Sequence, residues 1–421
     1  MSPINFDSGG YAQALDYLFS RRRMGMKYGL ERIQGLLETM GHPERSFRTI
    51  HVVGTNGKGS TTALLAETIR QLGIRAGRFT SPHLLDYRER VAVDGCWIPR
   101  EAVMRFLNIY RGDIQSLRAT FFEVTTALAA WWFAQCGVEW AAVEAGLGGR
   151  LDATRTFRGL ATLFTSVRLE HSRILGDTTE LIAAEKVAIA ERGTKLIASR
   201  QPAGVEAVLE EAGGEMALTR LLPVSAPASP FPGERLAPNA ALAYTAAMRL
   251  LGREPEEVKA AFQKACDGIY WPGRLDLRPG EVDILFDVAH NPQSMEALLE
   301  RVELYDPPLP AVVGFLSDKL HARMTEQLAG LLDPVVATTP VDPDRALPAA
   351  DLSAALAKRG VRSRAVPDIG RAVEVCRNEA LASGRGPMVV TGSFFVVGEA
   401  MLACLRRGWI NLPGLQSQLA E

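Results

Sequence analysis

His51-Val52-Val53-Gly54-Thr55-Asn56-Gly57-Lys58-Gly59-Ser60-Thr61 decides the fold class of this 421-residue chain. The apolar run Ile50 to Val53 reads as a buried strand, and Ser60 to Leu72 carries helical periodicity. A glycine-rich turn joins them, which makes the stretch strand–loop–helix, the setting a phosphate-binding loop requires. The glycines let backbone N–H groups turn toward an anion, and the helix amino terminus adds positive potential. Lys58 can reach terminal phosphates, and Ser60 or Thr61 can approach a metal. The strict pattern GxxxxGK[ST] fails, because Gly59 separates Lys58 from Ser60 and position 52 is valine.

Outward from this loop, β-rich runs alternate with helical patterns. Arg78-Phe79-Thr80 ends a further strand, and Asp94-Gly95 sits between apolar runs as a hairpin turn. A long helix pattern runs from Phe121 to Cys136, and the strand Trp140 to Val143 ends at Glu144. Leu163 to Val167 and Lys195 to Ala198 continue the series, which predicts a parallel, doubly wound sheet. Proline and small residues crowd 223–238, before a helix from Asn239 to Leu251. A second break, WPGRLDLRPGE at 271–281, precedes a new βα rhythm through Ile284-Leu285-Phe286, Ala311-Val312-Val313, Pro334-Val335-Val336 and Met388-Val389-Val390. The expectation is two α/β domains, residues 1–279 and 280–421, with 271–281 as the hinge and a short surface tail from Ile410 to Glu421.

Composition narrows the function classes. The charges nearly cancel, with 47 Lys and Arg against 48 Asp and Glu, so a general nucleic-acid or anionic-membrane binder is not expected. Five cysteines without a CxxC pair argue against a disulfide framework or a cysteine zinc site, and suit a reducing cytoplasm. The most apolar stretch, around 124–134, is shorter than the about 20 residues a membrane helix needs. Arg21-Arg22-Arg23 is the single basic run, and as an isolated run it reads as a solvated surface.

HVVGTNGKGST resembles the phosphate loop of the Mur ligase superfamily, and more closely its folylpolyglutamate synthase/dihydrofolate synthase branch. GLERIQGLLETMG (29–41), SPHLLDYRERV (81–91), TFFEVTTALAA (120–130), EAGLGGRLDAT (144–154), WPGRLD (271–276), DVAHNP (287–292) and TGSFFVVGE (391–399) follow in that branch's order. The resemblance implies a Mur-ligase-like phosphate-loop domain followed by a smaller Rossmann-like α/β domain. It implies an ATP-dependent ligase that joins a folate-type carboxylate to L-glutamate through an acyl phosphate. The cofactors it implies are ATP and Mg2+, two ions, with a monovalent cation beside them. The partners are small molecules (ATP, glutamate, a pteroate or folate) with no nucleic acid and no membrane, acting on a cytoplasmic monomer.

Residue by residue, the resemblance assigns Gly54, Thr55, Asn56, Gly57, Lys58, Gly59, Ser60 and Thr61 to ATP, with Asn239, Arg274 near the phosphates and Asp287 near the ribose. It assigns metal to Ser60, Ser81, Glu144, His171 and Lys186, the last as a carbamate. It places His290 and Ser393 near the incoming glutamate and makes Lys58, His290 and Lys186 the catalytic set. Glu144 stands out on pattern alone, because an acid at the carboxyl end of a parallel strand lies where such sheets bind ligands. Lys186 does not; in ELIAAEKVAIAER (180–192), a continuous helix pattern, it reads as a solvent-facing lysine.

Several positions depart from the branch's pattern. Glu170-His171-Ser172 stands where Asp-His-Thr is usual, Val187-Ala188 follows Lys186 in place of Ala-Gly, and Arg235-Leu236 replace a His-Gln pair. These changes surround the second metal and the nucleotide, and leave two alternatives open. One is a ligase with a non-folate acceptor. The other is a nucleotide-binding protein with little ligation. Peptidoglycan ligases, the superfamily's other members, carry an extra domain before the loop, and only a short helical lead precedes Gly54 here.

Overall fold

The protein is described from a computed structural model that covers residues 6–24, 29–230, 237–317, 321–342 and 345–420. Gly233, Glu234, Arg235 and Leu236, where the sequence departs from the usual His-Gln, lie outside the described residues. Strand β1 (Arg48–Val53) is the middle of an eight-stranded sheet. The others are β2 (Ala76–Phe79), β3 (Val91–Val93), β4 (Cys96–Trp97), β5 (Trp140–Glu144), β6 (Ala161–Phe164), β7 (Lys195–Ala198) and β8 (Thr219–Leu221). Their order is β4-β3-β2-β5-β1-β6-β7-β8. All neighbours are parallel except the β2–β3 and β3–β4 pairs, of which β3–β4 is the hairpin expected at Asp94-Gly95.

Five of the six β1 residues are buried, as a central parallel strand covered on both faces requires. Ile50 and Val52 pack with the phosphate-loop helix (Lys58–Gln71) and the helices Ala237–Leu250 and Pro255–Gly268. On the other face Phe79, Ala141 and Val143 pack with Phe106, Leu128 and Phe133 of the helices Arg100–Ser116 and Phe121–Gln135. Fully burying each of the larger side chains among these contributes roughly 1.5–3 kcal/mol.

His51 faces inward on β1 and is 0% exposed. Its Nε2 meets the Thr154 carbonyl at 2.9 Å, while Nδ1 has no partner among the described residues. Burial pushes its pKa down to about 4, only partly offset by the Thr154 bond. In the unfolded chain His51 takes up a proton near pH 6.5, and in the fold it resists until about pH 4. Stability is therefore complete above pH 6.5 and drains away as pH falls toward 4, by about 3 kcal/mol in total. Urea unfolding across this range should show that acid loss in the wild type and a smaller one in His51→Gln. Parallel curves would remove His51 as its source.

The second sheet contains β9 (Asp276–Arg278), β10 (Ile284–Asp287), β11 (Leu309–Val313), β12 (Leu332–Ala337), β13 (Ser363–Ala365) and β14 (Met388–Thr391). Its order is β13-β12-β11-β14-β10-β9, parallel but for β9. β9 pairs with β10, so this sheet begins ahead of position 279. Helices Pro292–Val302 and Phe394–Arg406 follow β10 and β14, and Asn291, the cap of the first, meets the phosphate loop.

Two expectations meet a different structure, at the Lys186 helix and at Arg21, and a third holds in the main. The helix carrying Lys186 runs only from Thr179 to Val187, not to Arg192. Its Glu185 carbonyl is taken by the Arg150 amide at 3.0 Å, and Ile189 and Ala190 turn into the core. Tertiary capping and burial override propensity there. The tail lies on the surface as expected, mostly exposed, though Ile410 and Leu412, 3% and 0% exposed, pin it to the core. Arg21 departs from the solvated run, being half-buried, whereas Arg22 is exposed as expected. Arg21 donates to the carbonyls of Ala119 and Ile114 at 3.0 and 2.9 Å, and the Arg22 guanidinium lies 4.4 Å over the Phe19 ring. The side chain of Arg23 lies outside the described residues.

Candidate active site

The loop after β1 turns directly into the helix at Lys58, with Gly57 at φ +88° as its N-cap. A side chain at Gly57 would also put a Cβ 2.2 Å from the Asn239 amide oxygen, so Asn239 packs against the loop itself. The Ser60 hydroxyl makes no hydrogen bond among the described residues, and the buried Thr61 hydroxyl is likewise unpartnered. The amide-lined turn, the helix amino terminus and these free hydroxyls fit a nucleotide phosphate chain.

Around the loop stand groups from both domains. Lys58 Nζ donates to the Thr55 carbonyl at 3.1 Å and lies 4.0 Å from Glu144 Oε1. Glu144, at the end of β5, is 4% exposed, and its Oε2 accepts the Ser81 amide at 3.0 Å. Burial pushes its carboxyl up, against the charges of Lys58, Arg274 and Arg90 and the Ser81 bond. Asp287 ends β10 and accepts the Leu275 amide at 2.8 Å. Burial raises it to about 6 against the Arg274 charge beside it. Arg274 thus feels carboxylates of both sheets, Asp287 more strongly than Glu144, and its guanidinium lies 5.3 Å from the Phe394 ring centroid.

His290 directs Nδ1 at the Val288 carbonyl, 2.8 Å away, and Nε2 at Glu170 across the domain junction, 3.4 Å away. His171 is partly exposed, with Nε2 3.9 Å from the same carboxylate. Ser393 is buried and caps its helix by accepting the Val396 amide at 3.2 Å. It forms no direct part of the cluster.

Lys186 is 6% exposed and donates to the Gly54 carbonyl at 2.7 Å. The solvent-facing reading of this lysine is therefore wrong. Burial first, and then the Lys58 charge, depress it to about 7, with Glu170 and Asp152 opposing. The sequence pattern failed here because the helix is buried on a face where alanines mask its amphipathicity.

Among the described residues, no three His, Cys, Asp or Glu side chains gather as a metal cluster. One carboxylate, Glu144, with nearby hydroxyls and substrate phosphates suits Mg2+, which keeps waters and takes few protein ligands. A second ion at Lys186 does not fit the ammonium form, which can only donate, and a hard ion prefers oxygen to a neutral amine, so the site would need the amine converted to an oxygen ligand.

Contacts that no local pattern announces complete the site. The Asn291 amide donates to Asn56 Oδ1 at 2.9 Å, joining the phosphate loop to the second domain. Gln293 lies 2.9 Å from the Asn56 amide and 3.3 Å from the Arg168 guanidinium. Arg90 donates to His83 Nδ1 at 2.8 Å, and burial with the Arg90 and Arg22 charges holds His83 neutral. Partners as far apart as 237 residues leave no signal in spacing.

Comparison with known proteins adds the family. Residues 273–394 match the Mur ligase glutamate ligase domain. The chain is 31% identical to the dihydrofolate synthase/folylpolyglutamate synthase of Bacillus subtilis, over 76% of this chain and 82% of that protein. The chain belongs to the folylpolyglutamate synthase/dihydrofolate synthase family. It is also 31% identical to a probable bifunctional folylpolyglutamate synthase/dihydropteroate synthase of Haloferax volcanii, spanning 93% of this chain but about half, 50%, of that longer protein. The crystal structure of the Yersinia pestis bifunctional folylpolyglutamate synthase/dihydrofolate synthase complexed with AMPPNP and Mn superposes with a TM-score of 0.79 at 27% identity, covering 94% of this chain and 98% of that one. Within this folylpolyglutamate synthase/dihydrofolate synthase fold, the Glu170 departure has a visible consequence, because its carboxylate reaches His290 of the other domain. The five cysteines are all free, and no helix among the described residues is long and apolar enough to cross a membrane.

Proposed function

We propose that this chain is an ATP-dependent ligase that joins L-glutamate to a folate-type carboxylate. The observation that carries the reading is the convergence of Lys58, Glu144, Arg274 and His290, from two sheets, around one phosphate loop. A carboxylate is a poor electrophile because oxide is its leaving group. Transfer of the ATP γ-phosphoryl to a carboxylate oxygen gives ADP and an acyl phosphate. The glutamate amine then adds to the carbonyl carbon and loses a proton, and phosphate departs as the amide forms.

Both phosphoryl donor and acceptor are anionic, so the site must supply cations and donors. Lys58 and the loop amides hold the terminal phosphates, Asn239 packs behind the loop, and Arg274 brings a second-domain cation to them. Asp287 faces the ribose side. A divalent cation held by Glu144, Ser81 and Ser60 would neutralise phosphate charge; His171 and a carbamate at Lys186 would hold a second. His290 lies where the incoming amine must approach. The domain division we adopt ends the nucleotide unit in the 271–275 turn, ahead of β9.

The deciding experiment incubates purified protein with ATP, magnesium, labelled glutamate and a panel of pteroates and folates, with products identified by mass. A product one glutamate heavier than its acceptor is expected. Glutamate-dependent phosphate release with only non-folate acids would move the acceptor class, and none with any acid would overturn the ligase reading.

Magnesium affinity should depend on Glu144 more than on His171, because a hard carboxylate suits magnesium better than imidazole. Glu144→Gln should weaken magnesium binding by roughly 10–100-fold. Calorimetry in the presence of a non-hydrolysable ATP analogue reads this directly; an unchanged affinity would refute the assignment.

A further inference from the structure

Residues 80–90 form a rigid cassette on the first sheet. The Glu89 carboxylate accepts the amides of Leu84, Leu85 and Asp86 at 2.9, 2.5 and 2.8 Å. Thr80 donates its amide to the Arg90 carbonyl at 3.0 Å, closing the loop on itself. One end of this cassette carries Ser81, whose amide holds Glu144 beside Lys58. Three residues later, Leu84 and Leu85 leave the first domain and pack on the core of the second.

The fit at Leu84 is close. A Cβ on Gly398, in the helix after β14, would lie 2.1 Å from the Leu84 carbonyl oxygen. The Leu84 side chain lies beside Gly273, with Val288 and Val397 around the same spot. The second domain also grips the far end of the cassette. Arg88, 1% exposed and paired with Asp86 at 3.1 Å, donates to the carbonyl of Gln418. The Gln418 side chain in turn accepts the Trp97 amide at 2.7 Å, and Arg100 donates to the Leu419 carbonyl at 3.4 Å.

We propose that Leu84 and Gly398 are positioning residues that make the placement of Ser81 and Glu144 depend on how the second domain is seated. A cassette whose amides are pinned by one buried carboxylate moves as a unit, so a displacement at Leu84 is passed on to Ser81. The contact thereby couples the docking of one domain to the geometry beside Lys58 in the other. This inference rests on the ligase reading for its kinetic test and on amide exchange for a test that does not need it.

Gly398→Ala should force the Leu84 carbonyl away. Leu84→Ala only removes atoms at a domain junction, and covers the case in which Gly398→Ala does not fold. In both, kcat should fall roughly 10–100-fold, since misplacing reacting groups by about an ångström has effects of that order. ADP affinity should stay within about twofold, because the phosphate loop and its helix are untouched. Amide hydrogen exchange over residues 81–86 should accelerate while that of 58–71 does not. Unchanged kcat and unchanged exchange in folded Leu84→Ala would overturn the proposal, as would a parallel loss of kcat and ADP affinity. If the wild type itself does not ligate, the ligase reading fails and the exchange comparison still decides the coupling.

Discussion

Lys58→Ala is expected to lower ligation by on the order of 10²–10³ while leaving the fold intact, the usual loss when one preorganised charge-stabilising donor is removed. Lys58 begins the helix after the phosphate loop and is only partly buried, so the backbone turn survives its removal. What disappears is a cation that touches both the loop and Glu144, which lie 3.1 and 4.0 Å from its ammonium. Glu144 then remains buried with a weaker counter-charge, held by the Ser81 amide and the fields of Arg274 and Arg90. The variant should consequently show a drop in kcat with ATP saturating, a normal far-ultraviolet spectrum and near-normal melting. Turnover near the wild-type level in a folded variant would sink the assignment of this loop to catalysis.

The contrast between Lys58 and its surroundings shows what was legible from residues alone. Strand, glycine turn and helix follow one another within about twenty positions, so local periodicity sufficed to find β1, the loop and the helix that starts at Lys58. Glu144 was legible for the same reason, being the last residue of an apolar parallel strand. The partners that finish the site were not. Asn56 meets Asn291, Leu84 meets Gly398 and Arg88 meets Gln418, each across more than two hundred residues. No period or spacing encodes such pairs, which exist only once two sheets face each other. The end of the helix at Val187 was misread because an amide from a distant loop, Arg150, caps it where good helix formers continue. Arg21 was misread because a charge run says nothing of the Ala119 and Ile114 carbonyls that tertiary structure brings alongside.

Lys186→Ala should be the other severe loss, again on the order of 10²–10³ if the loop binds the phosphates as proposed, because the group that holds the loop's Gly54 carbonyl disappears. The amine is enclosed, bonded to the Gly54 carbonyl at 2.7 Å and depressed to about 7. An ordinary lysine near 10.4 is almost wholly protonated at pH 7, whereas one near 7 is about half neutral and nucleophilic. Only that neutral amine can add to carbon dioxide, losing a proton to give a carbamate whose oxygens can hold a cation. Two chemistries for the position are thus separable. If Lys186 works as a carbamate, small carboxylic acids should restore part of the lost ligation to Lys186→Ala, since they return oxygens to the vacated space. If it works as an ammonium anchoring Gly54, small alkylamines should restore activity and carboxylic acids should not. Val187 and Ala188, bulkier than the usual Ala-Gly, do not keep Lys186 from the loop, because Val187 is buried and the chain turns away immediately after it. We expect rescue by the acids, with activity in the wild type falling as pH drops below about 7 and protonation competes with carbamate formation. Ligation by Lys186→Ala at the wild-type rate without any additive would show that the buried amine serves packing alone.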